Sequence, residues 1–122
     1  LFSEVGLFDI SLPACEDYDL WLRICAKESL LFINQPLVVK YGGHADQLSR
    51  KHWGMDRFRI RALEKIIQSE ALTQEYTVAA IKTLVYKASI LAKGAKKRGN
   101  LQREAEYRKL QDHYRSLHPI NR

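Results

Sequence analysis

Apolar residues recur every three or four positions through most of residues 51–117, and this spacing constrains the fold more than any other feature. A helix with this period carries one apolar face. We therefore expect amphipathic helices at 54–69, 73–93 and 100–117, the last two packed as an antiparallel hairpin. The apolar positions are Met55, Phe58, Ala62, Leu63, Ile66 and Ile67 in the first, Val78, Ile81, Val85, Ala88 and Ala92 in the second, and Tyr107, Leu110, Tyr114 and Leu117 in the third.

The ends of these helices are marked by residues with known local preferences. Thr73 is a good N-cap, because its hydroxyl can accept a hydrogen bond from a backbone N–H of the first turn. Gly94 weakens the second helix, and Gly99 with Asn100 is expected to end it and begin the third. Pro119 is expected to stop the third helix.

A second feature is the acidic segment 16–23, which reads Glu-Asp-Tyr-Asp-Leu-Trp-Leu-Arg. Pro13 interrupts any regular element before it, and Asp17 is a natural N-cap. We expect a helix over 17–28. Carboxylates at such a helix start serve the helix dipole, a bound cation or proton transfer.

Most of the circumference of this helix is apolar, which is typical of a buried helix. Asp19, Arg23 and Lys27 follow one another at intervals of four and form a single polar stripe. We expect this stripe to reach water or a ligand, and Asp19 and Arg23 to form an ordinary salt bridge along the helix.

Two short β-type runs follow, at 31–33 and 37–41, separated by a turn at 34–36. They predict a short β hairpin, so the fold class expected from the residues is mostly α with one hairpin. A chain of 122 residues has at most one ordinary domain.

Taken in order, three sets of residues resemble family 2 of the inverting GT-A glycosyltransferases. The resemblance covers residues 4–65, about half the chain. The matching stretches are Val5-Gly6-Leu7-Phe8-Asp9, Leu12-Pro13-Ala14-Cys15 with the acidic segment, and Pro36-Leu37-Val38 leading to Tyr41-Gly42-Gly43-His44-Ala45-Asp46-Gln47-Leu48-Ser49-Arg50.

The resemblance implies that residues 1–50 are the C-terminal part of a GT-A α/β fold, the nucleotide-diphospho-sugar transferase fold. Residues 51–122 would be a helical extension ending in an α-hairpin. It further implies a carboxy-terminal fragment, with the donor-binding half and its DXD motif lying elsewhere, so that the fragment alone is inactive. The parent enzyme would transfer a sugar from a nucleotide-sugar donor to a glycan or lipid-linked acceptor with inversion.

The resemblance also assigns roles to residues near the acidic segment. Asp17 would be the general base that takes the proton of the acceptor hydroxyl, with Glu16 beside it shaping the acceptor site or contacting the nucleotide sugar. Gly6 would let substrate approach the backbone, although a plain turn explains a glycine equally well. Trp21 is either a core residue, the commoner case, or a platform for the acceptor.

The second implied group of site residues follows Gly42-Gly43. His44 would complete the metal or diphosphate site, although a histidine here can also be an ordinary loop residue. Gln47 and Arg50 would contact the acceptor or the diphosphate, Arg50 as a fork-shaped donor suited to phosphate oxygens. The cofactor implied is a divalent cation, Mn²⁺ or Mg²⁺, in the full-length enzyme, with none expected on the fragment.

Charge is distributed unevenly along the chain. Residues 1–50 contain seven acidic and four basic residues, whereas residues 51–122 contain seven acidic and sixteen basic ones. The excess includes a cluster at Lys93, Lys96, Lys97 and Arg98. Three interpretations remain open for this cluster: a solvated helix end, contact with an anionic membrane surface, or nucleic acid, for which no binding motif is present.

Cys15 and Cys25 have no CxxC spacing and are expected to be structural thiols in a reducing compartment. With no visible signal peptide or spanning segment, we expect a cytoplasmic protein, with peripheral membrane association left open. A homo-oligomer is expected, because unpaired β edges and the helix at 17–28 would seek partners. The competing class of function is a non-enzymatic helical module for protein–protein interaction.

Overall fold

The computed structural model describes residues 5–28, 34–39 and 54–117. Within these ranges the chain forms α1 (Glu16–Cys25), α2 (Asp56–Gln68), α3 (Gln74–Lys97) and α4 (Leu101–Leu117). Helix α3 packs against both α4 and α2, and α2 also packs against α1. All four predicted helices are therefore confirmed, although α1 begins one residue earlier than predicted and ends at Cys25.

The main core lies where α2, α3 and α4 meet. Its members on α2 and α4 include Leu63 and Tyr114, each only 2% exposed, and α3 contributes fully buried Ile81, Leu84 and Ala88. The 3–4 spacing predicted most of these positions because it describes the faces that helices turn toward one another. Leu84 and Leu91 extend the apolar face of α3 beyond the predicted set.

The α3–α4 connection follows the prediction closely. Gly99 has φ of 74°, a left-handed conformation that glycine adopts without strain, and Asn100 N–H donates to the Ala95 carbonyl oxygen at 2.9 Å. The Asn100 side-chain oxygen then accepts from Arg103 N at 3.1 Å in the first turn of α4. At the other end of α3, Thr73 Oγ1 accepts from Tyr76 N at 3.2 Å, which confirms Thr73 as the N-cap.

Gly94 does not end α3, which continues to Lys97. A Cβ atom at Gly94 would lie 3.1 Å from Nη2 of Arg98, so the guanidinium folds back over the glycine. The glycine therefore makes room for Arg98, and this local packing offsets its low helix propensity.

Gln111 and Tyr114 are buried where α2, α3 and α4 meet, and both side chains are hydrogen-bonded. Gln111 Nε2 donates to the Val85 carbonyl oxygen at 3.0 Å, and its Oε1 accepts from Arg108 at 3.0 Å. The Tyr114 hydroxyl donates to Glu64 Oε2 at 2.9 Å. These contacts fix the register of α4 against α3 and α2, which a purely apolar interface would leave less defined.

Tyr114 makes the stability of the fold depend on pH in the alkaline range. Burial, followed by the hydrogen bond to Glu64, raises the pKa of Tyr114 to about 12, against about 10 in an unfolded chain. The stability linked to the neutral phenol is therefore complete below pH ~10 and is lost as pH rises from there toward 12.

We expect Tyr114→Phe to lower the free energy of unfolding at neutral pH by about 1–2 kcal/mol, because the hydroxyl bonds a charged carboxylate. The variant should also lose less stability than the wild type between pH 10 and 12. Urea denaturation followed by circular dichroism measures both effects. The matched control is Tyr86→Phe, whose ring is 67% exposed. If the wild type and Tyr114→Phe lost the same free energy of unfolding between pH 10 and 12, Tyr114 would not be the group responsible.

The predicted β hairpin, and with it the α/β assignment for this chain, is wrong. The described residues contain helices and no strand, and 34–39 has no regular structure. Leu37, Val38 and Val39 are 69–84% exposed, and the described ranges contain no strand that could provide the ladder of hydrogen bonds that a β run needs. Residues 31–33 and 40–41 of the predicted runs lie outside the described residues. The β-edge argument for self-association falls with the hairpin, and the oligomer itself stays a prediction.

Candidate functional site

The acidic segment forms the start of α1, but not with Asp17 as its cap. The N-cap position is Cys15, which has φ of 58° and makes no side-chain capping bond. Glu16 is already helical, and the Asp17 carboxylate accepts a hydrogen bond from Tyr18 N at 2.8 Å. The N-cap prediction for Asp17 is therefore wrong. Asp17 instead lies in the first turn, where a negative charge is favoured by the helix dipole.

A small second core holds this helix start in place. Leu12, Ala14 and Cys15 are buried against Phe58 of α2, and the Cys15 thiol lies 3.7 Å from the Met55 carbonyl oxygen. A left-handed conformation costs a non-glycine residue about 1–2 kcal/mol, so it persists only where the surroundings determine it. The packing on Phe58 supplies that constraint and fixes the backbone that carries Glu16 and Asp17.

The two cysteines behave as the sequence predicted for structural thiols. Neither forms a disulfide, and Cys15 is buried. Burial raises the pKa of the Cys15 thiol, which disfavours the reactive thiolate.

The three acids of the segment lie in different surroundings. Asp19 is 2% exposed, and its carboxylate pairs with Arg23 at 3.1 Å and with Lys65 at 2.9 Å. Asp17 is exposed and Glu16 is half-buried, and neither forms an ion pair within the described part of the chain. The Asp19 carboxylate is therefore held in a buried ion pair between helices, whereas the Glu16–Asp17 pair is accessible to a ligand.

Arg23 connects α1 to the loop before it. Its guanidinium donates to the carbonyl oxygens of Val5 and, at 2.5 Å, of Leu7. Between them, Gly6 has φ of 82°, and a Cβ atom there would lie 3.2 Å from Arg23 Nη1. The missing Cβ therefore allows Arg23 to approach the backbone here, and the substrate role of Gly6 stays a prediction.

Lys65 completes what we call the acid–base network: Asp9, Asp19, Arg23 and Lys65. Lys65 Nζ lies 2.5 Å from Asp9 Oδ2 as well as 2.9 Å from Asp19 Oδ1. The hydrogen bond from Lys65, and then those from Ser11, hold the pKa of the Asp9 carboxyl well below its ordinary value. The network ties the loop, α1 and α2 together.

This network confirms the Asp19–Arg23 salt bridge and corrects the expected direction of the polar stripe. Asp19 faces α2 rather than water, because α2 carries a basic partner for it. Asp9 and Lys65 had no assigned role in the sequence analysis. Arg57, Arg61 and Lys65 repeat every four residues along α2, and this spacing matches the stripe on α1. The two stripes meet at Asp19 and Lys65, whereas Arg61 reaches the Ser11 carbonyl oxygen in the loop before α1.

Trp21 lies on the exposed side of α1, with 53% of its surface accessible. Its place four residues after Asp17 puts the two on the same face of the helix, one turn apart. The core interpretation of Trp21 is therefore wrong. An exposed indole beside an exposed carboxylate is compatible with the platform interpretation.

Two cationic side chains lie near the ring of Tyr18. Arg59 and Lys87 are each 6.0 Å from the Tyr18 ring centroid, and both pair with Asp56, at 2.9 Å and 3.1 Å. Burial raises the pKa of the Tyr18 phenol. Arg59 and the Glu16–Asp17 pair all act electrostatically on the Cys15 thiol, which places positive charge close to the acidic pair.

The described residues offer no ready cation site. No group of three or more His, Cys, Asp or Glu side chains in ranges 5–28, 34–39 and 54–117 could hold a metal ion. The predicted site residues His44, Gln47 and Arg50 lie outside these ranges. The described helices also include none that is both long and apolar enough to cross a membrane.

A groove of about 680 Å³ runs between α1, α2 and α3. Apolar side chains predominate in its lining, among them Leu22, Leu63 and Tyr76, and neither Glu16 nor Asp17 lines it. The accessible acids therefore face away from this groove.

Comparison with known proteins gives a short region of similarity. Over 50 residues, or 41% of this chain, it is 40% identical to a protein of Rickettsia bellii named an uncharacterized glycosyltransferase. Proteins of the same description from Rickettsia felis and Rickettsia conorii are 36% and 38% identical over 50 residues. The chain spans only 7–8% of the length of these relatives. No family model and no solved structure matches the chain. The similarity supports a relationship to glycosyltransferases over that region.

Proposed function

We propose that this chain is a helical segment of an inverting glycosyltransferase of family 2. The parent enzyme would transfer a sugar from a nucleotide-sugar donor to a glycan or lipid-linked acceptor. The similarity to proteins named glycosyltransferases supports the general activity, and the ordered motifs from Gly6 to Arg50 support the family and the inverting chemistry.

One observation carries the proposal: Asp17 is accessible while its neighbour Asp19 is sequestered. Inverting transfer needs a base near the acceptor hydroxyl, and a carboxylate can serve only if it is not already neutralised by cations. Asp17 is exposed, lies on a backbone fixed by the Cys15 packing, and accepts one backbone hydrogen bond. We assign it as the general base.

Glu16 and Trp21 would form the acceptor side of the same site. The Glu16 carboxylate can accept hydrogen bonds from acceptor hydroxyls, and the exposed indole of Trp21 offers a flat apolar face to a sugar ring. Because Trp21 is one turn from Asp17, a sugar resting on it would place a hydroxyl near the base.

The proposed binding of a divalent cation and of the diphosphate is supported by the sequence alone. The described residues do not form a cation site, so His44 would supply one ligand and the rest of the parent enzyme the others. Gln47 and Arg50 would contact the acceptor or the diphosphate.

His44→Ala in the parent enzyme is expected to weaken binding of a nucleoside diphosphate in the presence of Mn²⁺ by about tenfold or more, the range seen when groups that support metal sites are removed. Titration calorimetry with UDP and GDP, with and without Mn²⁺, measures this. His113→Ala, on the exposed side of α4, is the matched control. Unchanged affinity in the presence of Mn²⁺ would remove His44 from the site.

The proposed function is tested with the parent enzyme and a panel of nucleotide sugars. Release of nucleoside diphosphate that depends on an added acceptor identifies donor and acceptor, and the anomeric configuration of the product by NMR decides between inversion and retention. A retained configuration would overturn the family assignment. Failure of all donors with a folded enzyme would favour the interaction module.

A further inference from the structure

The solvent side of α3 carries a regular row of exposed side chains. Lys82, Tyr86, Ile90, Lys93 and Lys97 follow at intervals of four, four, three and four residues, which places them on one face of the helix, and we call this row the basic face. All five are exposed. At 1.5 Å per residue the row is about 22 Å long.

Two side chains with large apolar groups lie exposed within this row in the described part of the chain. Tyr86 is 67% exposed and Ile90 44%. The opposite side of α3 is fully used by the core. Lysines on both sides of a tyrosine and an isoleucine on one exposed helix face suit a membrane surface, where the ammonium groups meet the headgroups and the apolar parts lie below them.

The charge around this face has one sign. The sequence from Tyr76 to Arg103 contains seven basic residues and no acidic one. Lys87 pairs with Asp56 and Arg103 is half-buried, so the exposed basic side chains are those of Lys82, Lys93, Lys96, Lys97 and Arg98. By contrast, α4 mixes three acidic with four basic residues. The basic excess is therefore concentrated on α3.

We propose that the basic face of α3 docks on an anionic lipid bilayer. Lysines attract the lipid phosphates while their stems, with Tyr86 and Ile90, enter the headgroup region. A nucleic acid would satisfy the charge but offers aliphatic side chains little apolar surface, so the composition favours lipid. The inference goes beyond the proposed function and does not depend on it, because binding to vesicles requires no catalysis.

Vesicle co-sedimentation of the full chain tests the proposal. The probes are vesicles of phosphatidylglycerol and phosphatidylcholine in equal parts, and vesicles of phosphatidylcholine alone, each at low and high salt. We expect binding to the anionic vesicles only, weakened by salt. The double variant Lys93→Glu with Lys97→Glu should reduce this binding on the order of a hundredfold, because each basic residue near such a surface contributes about fivefold and reversal adds repulsion.

Two controls separate the face from general charge and general hydrophobicity. Lys109→Glu with Arg115→Glu makes the same change in net charge on α4 and should reduce binding by less than about threefold. Tyr86→Ser with Ile90→Ser should reduce it by about tenfold, whereas Ile10→Ser, at a side chain 99% exposed elsewhere, should not. Circular dichroism checks that each variant keeps its helices.

Several results would overturn the assignment. Equal binding to uncharged vesicles would do so, as would an equal loss with the α4 pair. Binding to a single-stranded RNA or to an acidic peptide, with no vesicle binding at the same salt, would show that the face recognises a different partner.

Discussion

Replacing Asp17 by asparagine in the parent enzyme is expected to lower kcat by about a hundredfold or more, while nucleotide-sugar binding is kept. The estimate follows from the contribution of a general base, about 10²–10⁴. An asparagine side chain has the same shape and can still accept the hydrogen bond from Tyr18 N, so the first turn of α1 should be preserved. What the variant loses is the ability to take the acceptor proton.

The matched control for this prediction is Asp112→Asn, an exposed acid on α4 far along the chain from the acidic segment. It changes the net charge equally and should leave kcat within about twofold. Initial rates at saturating donor, with donor affinity by calorimetry, separate chemistry from binding. Turnover of Asp17→Asn near the wild-type rate would show that the base lies elsewhere.

Asp19→Ala is expected to lower the free energy of unfolding by about 2–3 kcal/mol, more than Tyr114→Phe. Removing one partner of a buried ion pair costs about 3–5 kcal/mol. Here the cost is reduced, because the side chains of Arg23 and Lys65 are 22% and 43% exposed and water can replace part of what they lose. Both also keep second partners, Arg23 on backbone carbonyls and Lys65 on Asp9.

Urea denaturation at neutral pH measures this loss. Asp112→Ala is the control and should change stability by less than about 0.5 kcal/mol. A double-mutant cycle between Asp19 and Lys65 should give a favourable coupling energy, since the two atoms are 2.9 Å apart. Additive effects in that cycle, or an Asp19→Ala loss no larger than that of the control, would show that the acid–base network does not hold the loop on α2.

The sequence was a good guide to structure wherever the relevant contacts are local. Helices α2, α3 and α4 were predicted because their apolar residues repeat within each helix, and the turn at Gly99 and Asn100 because it needs only neighbouring residues. Residues 37–39 have the composition of a strand. A strand also needs a neighbouring strand from elsewhere in the chain, and local composition does not show whether one is present.

In the candidate site, too, features that depend on distant residues could not be predicted from the sequence. The direction of Asp19 depends on Lys65, and that of Arg23 on the carbonyls around Gly6, so neither could be read from the acidic segment alone. The N-cap prediction for Asp17 is wrong because the helix begins after Cys15, whose left-handed conformation lies in a buried cluster with Phe58, far along the chain. The exposure of Trp21 likewise follows from which side of α1 meets α2.

The acid–base network also bears on the order in which the chain can assemble. Helices α3 and α4 close on each other through a turn of three residues, whereas Lys65 reaches Asp9 across a sequence separation of 56. Loop-closure entropy grows with the length of chain to be closed. We therefore expect the hairpin to form before the segment that carries Glu16 and Asp17 docks on α2. In that order, the surface for which we propose chemistry is completed last.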